Sequence, residues 1–212
     1  MKKLMLTVIL TFAFSGLALA GACAPASLTT YLVNGYSCTD GNVTFSNFAY
    51  SGTATGGAVA IPASGIEVLP GYGTSGLKFD AGWSVGPGEG LDSLIGYTAT
   101  SSTITGLTLG MAGYGSAKDG IVTVAETTSN GQHLLVYTDS GGTVATDAIS
   151  FPSVTSLSVT KDITVRGNEA GTATVSAVSN ALTTVPEPTA LGLFGTGLIG
   201  LAGLIRRFRY SA

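Results

Sequence analysis

Few residues in this 212-residue chain could do chemistry. There is one histidine, His133, and there are two cysteines, Cys23 and Cys38. A serine–histidine–aspartate triad would have to use His133, and no G-x-S-x-G elbow singles out a serine to join it. One imidazole also excludes a histidine-rich metal site. Both cysteines fall early in the chain, far from that histidine, so a thiolate nucleophile has no support. The 31 glycines form no phosphate-cradling fingerprint between a strand and a helix. Eleven acids lie between residues 23 and 184: Asp40, Glu67, Asp80, Glu89, Asp92, Asp119, Glu126, Asp139, Asp147, Asp162 and Glu169. A glycosidase needs two facing carboxyls, and nothing in this spacing marks a pair. Calcium in a loop near Asp119 or Asp139 is a further option, without an EF-hand pattern to raise it. The sequence thus predicts no catalytic residues, no metal ligands, no cofactor and no enzyme.

The elements that would position these residues are strands. Val43 and Phe45 alternate with Thr44 and Ser46, and the segments around 121–127, 133–139, 154–160, 162–166 and 172–178 keep the same period of two. Clusters of Gly, Ser, Asn, Asp and Pro separate them, as at 51–57, 70–76, 86–90, 129–131 and 139–142. We expect about nine to eleven short strands in an antiparallel β-sandwich over residues 23–184. Its core would include Phe45, Phe48, Phe79, Trp83, Ile95, Leu107, Val122, Val136 and Val165. Trp83 is expected to anchor that core beside Phe79. An alternative use of Trp83, with Tyr72 or Tyr97, is as a stacking platform for sugar rings in a carbohydrate-binding module.

Composition sets the destination. The chain is 45% hydrophobic and only 10% charged, with a net charge of −3. The body keeps four basic residues (Lys78, Lys118, Lys161 and Arg166) against its eleven acids, and the other five bases sit at the two ends. An acidic body without a basic face excludes a nucleic-acid partner. Residues 1–22 have a positive start at Lys2 and Lys3, then an apolar run from Leu4 to Phe14. Ala18-Leu19-Ala20 follows as a small-x-small cleavage site. This is a secretory signal peptide, because about 11 apolar residues span only about 16 Å as a helix. The chain is therefore expected to use the export machinery. Two cysteines in an exported chain most simply pair, so Cys23–Cys38 is the expected disulfide. The stretch Ala20-Gly21-Ala22-Cys23 also loosely resembles a lipoprotein lipobox, which would instead make Cys23 a lipidation site.

The other end has three ordered parts. Val185-Pro186-Glu187-Pro188 is an extended tetrapeptide, since two prolines flanking one residue neither continue a helix nor pair in a central strand. Thr189 to Ile205 is uncharged and, at about 25 Å as a helix, near the lower limit for spanning a bilayer. Arg206, Arg207 and Arg209 form a basic stop that stays on the cytoplasmic side, leaving the body outside. This arrangement closely resembles the PEP-CTERM sorting signal of Gram-negative bacteria. The resemblance implies a sorting signal over 185–212: a motif at 185–188, a transmembrane helix at 189–205 and a basic tail at 206–212. It also implies an exosortase, an integral-membrane cysteine transpeptidase, as the partner that recognises Pro186, Glu187 and Pro188 and removes the tail. Transient anchoring in the inner membrane would precede release to the cell surface or the extracellular space. Residues 28–50, LTTYLVNGYSCTDGNVTFSNFAY, are similar to the opening of a recurrent group of PEP-CTERM ectodomains. The resemblance implies an envelope or extracellular-matrix protein, associated with exopolysaccharide or biofilm, and assigns no chemistry to the body.

Overall fold

The structure, a computed structural model, describes residues 20–185. Thirteen strands follow in chain order: β1 (Gly21–Ala22), β2 (Ala26–Ser27), β3 (Ser37–Asp40), β4 (Val43–Thr55), β5 (Glu67–Pro70), β6 (Gly76–Val85), β7 (Gly90–Ala112), β8 (Gly115–Ala117), β9 (Ile121–Thr128), β10 (His133–Asp139), β11 (Gly142–Val144), β12 (Thr146–Arg166) and β13 (Thr172–Thr184). One helical turn, α1 (Leu28–Tyr31), lies between β2 and β3, and its buried ends Leu28 and Tyr31 share one face. The expected all-β, mostly antiparallel architecture is what the described residues form.

The strands are not uniformly short, and this corrects the sequence expectation. β7 runs 23 residues and β12 runs 21. Each bends and serves both layers of a sandwich-like fold. The first half of β7, up to Thr100, lies between β4 and the second half of β12, whose far side pairs with β9 and then β10. From Ile104 onward β7 lies between β13 and the first half of β12, and β13 continues the second layer to β6 and β5. The bend has a local cause. Register slips between Ser150, Val154 and Ser156, where Pro152 has no N–H to give the ladder. β4 carries a second irregularity. Asn47 takes a left-handed backbone (φ 54°) and the register slips between Ser46 and Ala49. That bulge moves the inward phase from Val43 and Phe45 to Phe48 and Tyr50.

The core lies between the layers. All nine core residues named above are in it, eight buried and Phe48 packed against them half-buried. Tyr97 stacks near Phe45, Phe48 and Phe79, with ring centroids 5.7, 5.9 and 6.3 Å away.

Candidate functional site

The described chain ends where the tetrapeptide begins. Val185 is exposed (48%). Thr103, in the bend of β7, holds it on both sides: the Thr103 hydroxyl donates to the Val185 carbonyl at 2.8 Å, and Val185 N–H donates to the Thr103 carbonyl at 3.4 Å. One residue earlier, the Thr184 hydroxyl donates to Asn42 Oδ1 at 3.0 Å, beside the β3–β4 turn. The last strand is therefore fastened to its end, and the chain leaves it at an exposed point. Pro186, Glu187, Pro188, the apolar span 189–205 and Arg206, Arg207 and Arg209 lie outside the described residues, as does Ala18.

At the other end Cys23 and Cys38 are joined, with Cα atoms 4.7 Å apart. The bond consumes the Cys23 sulfur that a lipid thioether would need, so the disulfide reading holds and the lipidation reading does not. Gly21 and Ala22 pair in parallel with Cys38 and Thr39, and Cys23 N–H donates to the Thr39 carbonyl at 2.9 Å. Ala20 is half-buried just before them.

The interior holds a polar cluster that sequence reasoning missed. Lys161 on β12 and Glu126 on β9 are register partners, both fully buried, with Nζ 2.6 Å from Oε2. Asn180 on β13, in the other layer, donates through Nδ2 to Glu126 Oε1 at 2.9 Å and to the Thr108 carbonyl at 3.3 Å. Tyr97 donates its hydroxyl to Asn180 Oδ1 at 2.9 Å. The Thr108 carbonyl is acceptor-only, which fixes the Asn180 amide in this orientation. Burial pushes the Lys161 ammonium down in pKa, against the attraction of Glu126, and burial, then the Glu126 charge, pushes the Tyr97 phenol up. A signal for this cluster exists in the sequence. Glu126 shares the inward phase of Val122 and Val124, Lys161 that of Val159 and Ile163, and Asn180 that of Val178 and Leu182.

Several of the remaining acids brace loops. Asp119 accepts from the N–H groups of Glu169 and Ala170, at 3.1 and 3.2 Å. Asp139 accepts from Gly141 and Gly142 at 2.7 and 3.0 Å, an Asx turn in the β10–β11 hairpin. Among the described residues no three His, Cys, Asp or Glu side chains group as metal ligands. A shallow depression of about 450 Å³ at one end of the sandwich is lined by Glu89, Asp92, Thr164, Arg166, Asn168 and Glu169, among others. Glu89 there is engaged by Gly86 N–H at 2.7 Å. His133 is exposed at the start of β10, opposite Thr127.

The aromatic platform is corrected. Trp83 is fully buried and donates from Nε1 to Ser93 Oγ at 3.1 Å, while Tyr97 is in the core. Neither presents a face to a sugar ring. Tyr72 is exposed.

No curated protein matches this sequence. Among solved structures the chain is similar to the carbohydrate-binding module TmCBM61 in complex with β-1,4-galactotriose, at 9% identity and a TM-score of 0.32 over 65% of this chain and 90% of that one. It is also similar to the xylan-binding module CBM15, at 13% identity and a TM-score of 0.26 over 68% of this chain and 98% of that one. A family 11 carbohydrate-binding module from Clostridium thermocellum matches at 10% identity and a TM-score of 0.21, over 69% and 91%. Residues 184–207 match the family model of the PEP-CTERM protein-sorting motif. The chain thus bears a PEP-CTERM sorting motif that starts at Thr184, the end of the last strand among the described residues, and that motif implies export to a cell-surface or extracellular location.

Proposed function

We propose that this chain is an exported, non-enzymatic protein of the cell envelope or extracellular matrix, and the substrate of an exosortase rather than a catalyst. The signal peptide would be cut after Ala20, because Gly21 and Ala22 form β1 within the folded body. The span 189–205 would then hold the chain in the inner membrane with the body outside, as the basic stop requires. The exosortase would recognise Val185, Pro186, Glu187 and Pro188 and remove the tail. The freed body, residues 23–184 together with β1, would act as a structural module associated with exopolysaccharide.

The observation that carries this reading is the junction. The sorting motif begins at residue 184, where the final strand is pinned by Thr103 and Asn42, and Val185 stands exposed. A protease-like partner needs an accessible segment, and Val185, the first residue of the tetrapeptide, is exposed next to a fixed body.

The test is the mass and location of the mature protein purified from its native host. A species starting near Gly21 and ending near Pro188, outside the inner membrane, is expected. A species that keeps Arg206–Arg209 in the membrane fraction would reduce the signal to a plain anchor and overturn the proposal.

A further inference from the structure

We propose that Lys161 and Asn180 condense into an intramolecular isopeptide bond, with Glu126 as the proton shuttle and ammonia as the leaving group. Three features of the interior converge on it. A nucleophilic amine, a carboxamide and a carboxyl group are gathered in one fully buried site. The two oxygens of Glu126 separately hold the attacking nitrogen (Lys161 Nζ, 2.6 Å) and the departing one (Asn180 Nδ2, 2.9 Å). Tyr97 aims its hydroxyl at Asn180 Oδ1 from 2.9 Å, where negative charge develops during attack at Cγ.

As a plain ion pair the cluster is poorly made. A buried ammonium brings three donors, and among the described residues only Glu126 accepts from Lys161. A buried pair of this kind contributes little to stability. Burial pulls the amine toward its neutral form, the form that attacks a carbonyl.

The step balances without any oxidant or outside reagent. The Lys161 proton passes to Glu126 along their hydrogen bond, leaving a neutral amine and a carboxylic acid. Nζ attacks Asn180 Cγ, and the Tyr97 hydroxyl stabilises the oxyanion on Oδ1. Glu126 donates its proton to Nδ2 and takes one from the newly bonded Nζ. The Cγ–Nδ2 bond breaks, ammonia departs and a secondary amide remains. Two buried charges are thereby replaced by a neutral amide. The new bond would tie β12, running in one layer at Lys161, to β13 in the other. β13 is the strand that leads into the sorting motif, so the body would be locked to the segment through which it is handled.

The test is mass spectrometry of the mature protein, reduced to open the disulfide. The expected mass is about 17 Da, one ammonia, below that calculated for its measured ends. Trypsin should fail to cut after Lys161 and should yield a branched peptide joining residues 119–166 to the segment that starts at Gly167. A wild-type protein at full calculated mass, with Lys161 cleavable, overturns the proposal without any mutant. A loss of about 17 Da with Lys161 still cleavable signals a cyclic imide at Asn180 instead and overturns it equally. In Glu126→Gln, which keeps the side chain's shape, the branched peptide should be lost, and its persistence would refute the role given to Glu126.

Discussion

Removing the Cys23–Cys38 bond should lower stability by an amount that the loop length sets. The two residues are 15 apart in sequence, and closing a loop of about that size in the unfolded chain is worth about 3 kcal/mol in the chain-entropy model. The native side of the balance should hardly change. Without the bond, Cys23 N–H still reaches the Thr39 carbonyl at 2.9 Å, and the Tyr31 hydroxyl still donates to the Ala24 carbonyl at 2.7 Å. Tyr31 stays packed on Tyr36 and Phe48, with ring centroids 4.9 and 5.0 Å away. The loop is therefore held by contacts independent of the sulfur, and the cost falls on the unfolded ensemble. Cys38 is buried, so the variant to make is Cys23→Ala with Cys38→Ala, which adds no hydroxyl to the core. Urea unfolding of the mature protein should show a loss of about 3 kcal/mol, with a slope no lower than the wild type's, because the opened unfolded chain exposes at least as much surface. The melting temperature should fall by about 6–12 °C for a body of this size. Wild type in reductant should lose the same amount. A loss under about 1 kcal/mol would refute the reasoning, since it would mean that the unfolded chain keeps the loop closed.

Two further perturbations follow from the structure. A Cβ at Gly167 would overlap the carbonyl of Gly86, where two loops cross at one end of the sandwich. Gly167→Ala should therefore cost about 1–3 kcal/mol or more, against less than about 0.5 kcal/mol for Gly82→Ala, whose Cβ meets nothing, in the same unfolding assay. Burial first, then the Asp92 carboxylate, raises the pKa of Asp162, opposed by the Thr164 hydroxyl and Arg166. A raised carboxyl pKa favours the folded state at low pH, and that advantage is lost as pH rises through the folded value. Asp162→Asn should therefore be more stable than wild type at neutral pH, by less than about 1 kcal/mol because the site is partly solvated. The gap should close below the ordinary aspartate pKa of about 4. A gap independent of pH would point to packing instead of charge.

Local sequence determined the ends and the class of the body. A sorting motif is a linear string, read by a partner in extended form, so its residues need no fold to be recognised. Strand alternation and turn clusters are equally local, because a side chain's face depends on its own parity and a turn on its own dihedrals. The pairing of Cys23 with Cys38 followed from export and from there being only two cysteines. Trp83, expected as a core anchor beside Phe79, is buried, which removes it as a sugar platform. Tertiary structure decided what parity leaves open. Whether a long apolar-polar run is one bent strand or two short ones depends on ladder partners on both sides, so β7 and β12 could not be measured from their own residues. The Asn47 bulge likewise shows itself only through the register it shifts. Above all, alternation says that Glu126, Lys161 and Asn180 point inward, but not that they meet. Glu126 lies 35 residues from Lys161 and 54 from Asn180 in sequence. The β9–β12 register places the first two opposite each other, and the closing of one layer over the other brings in the third. Alternation gives a side chain's face, and only packing decides its neighbours, which is why the buried polar cluster became visible in the fold alone.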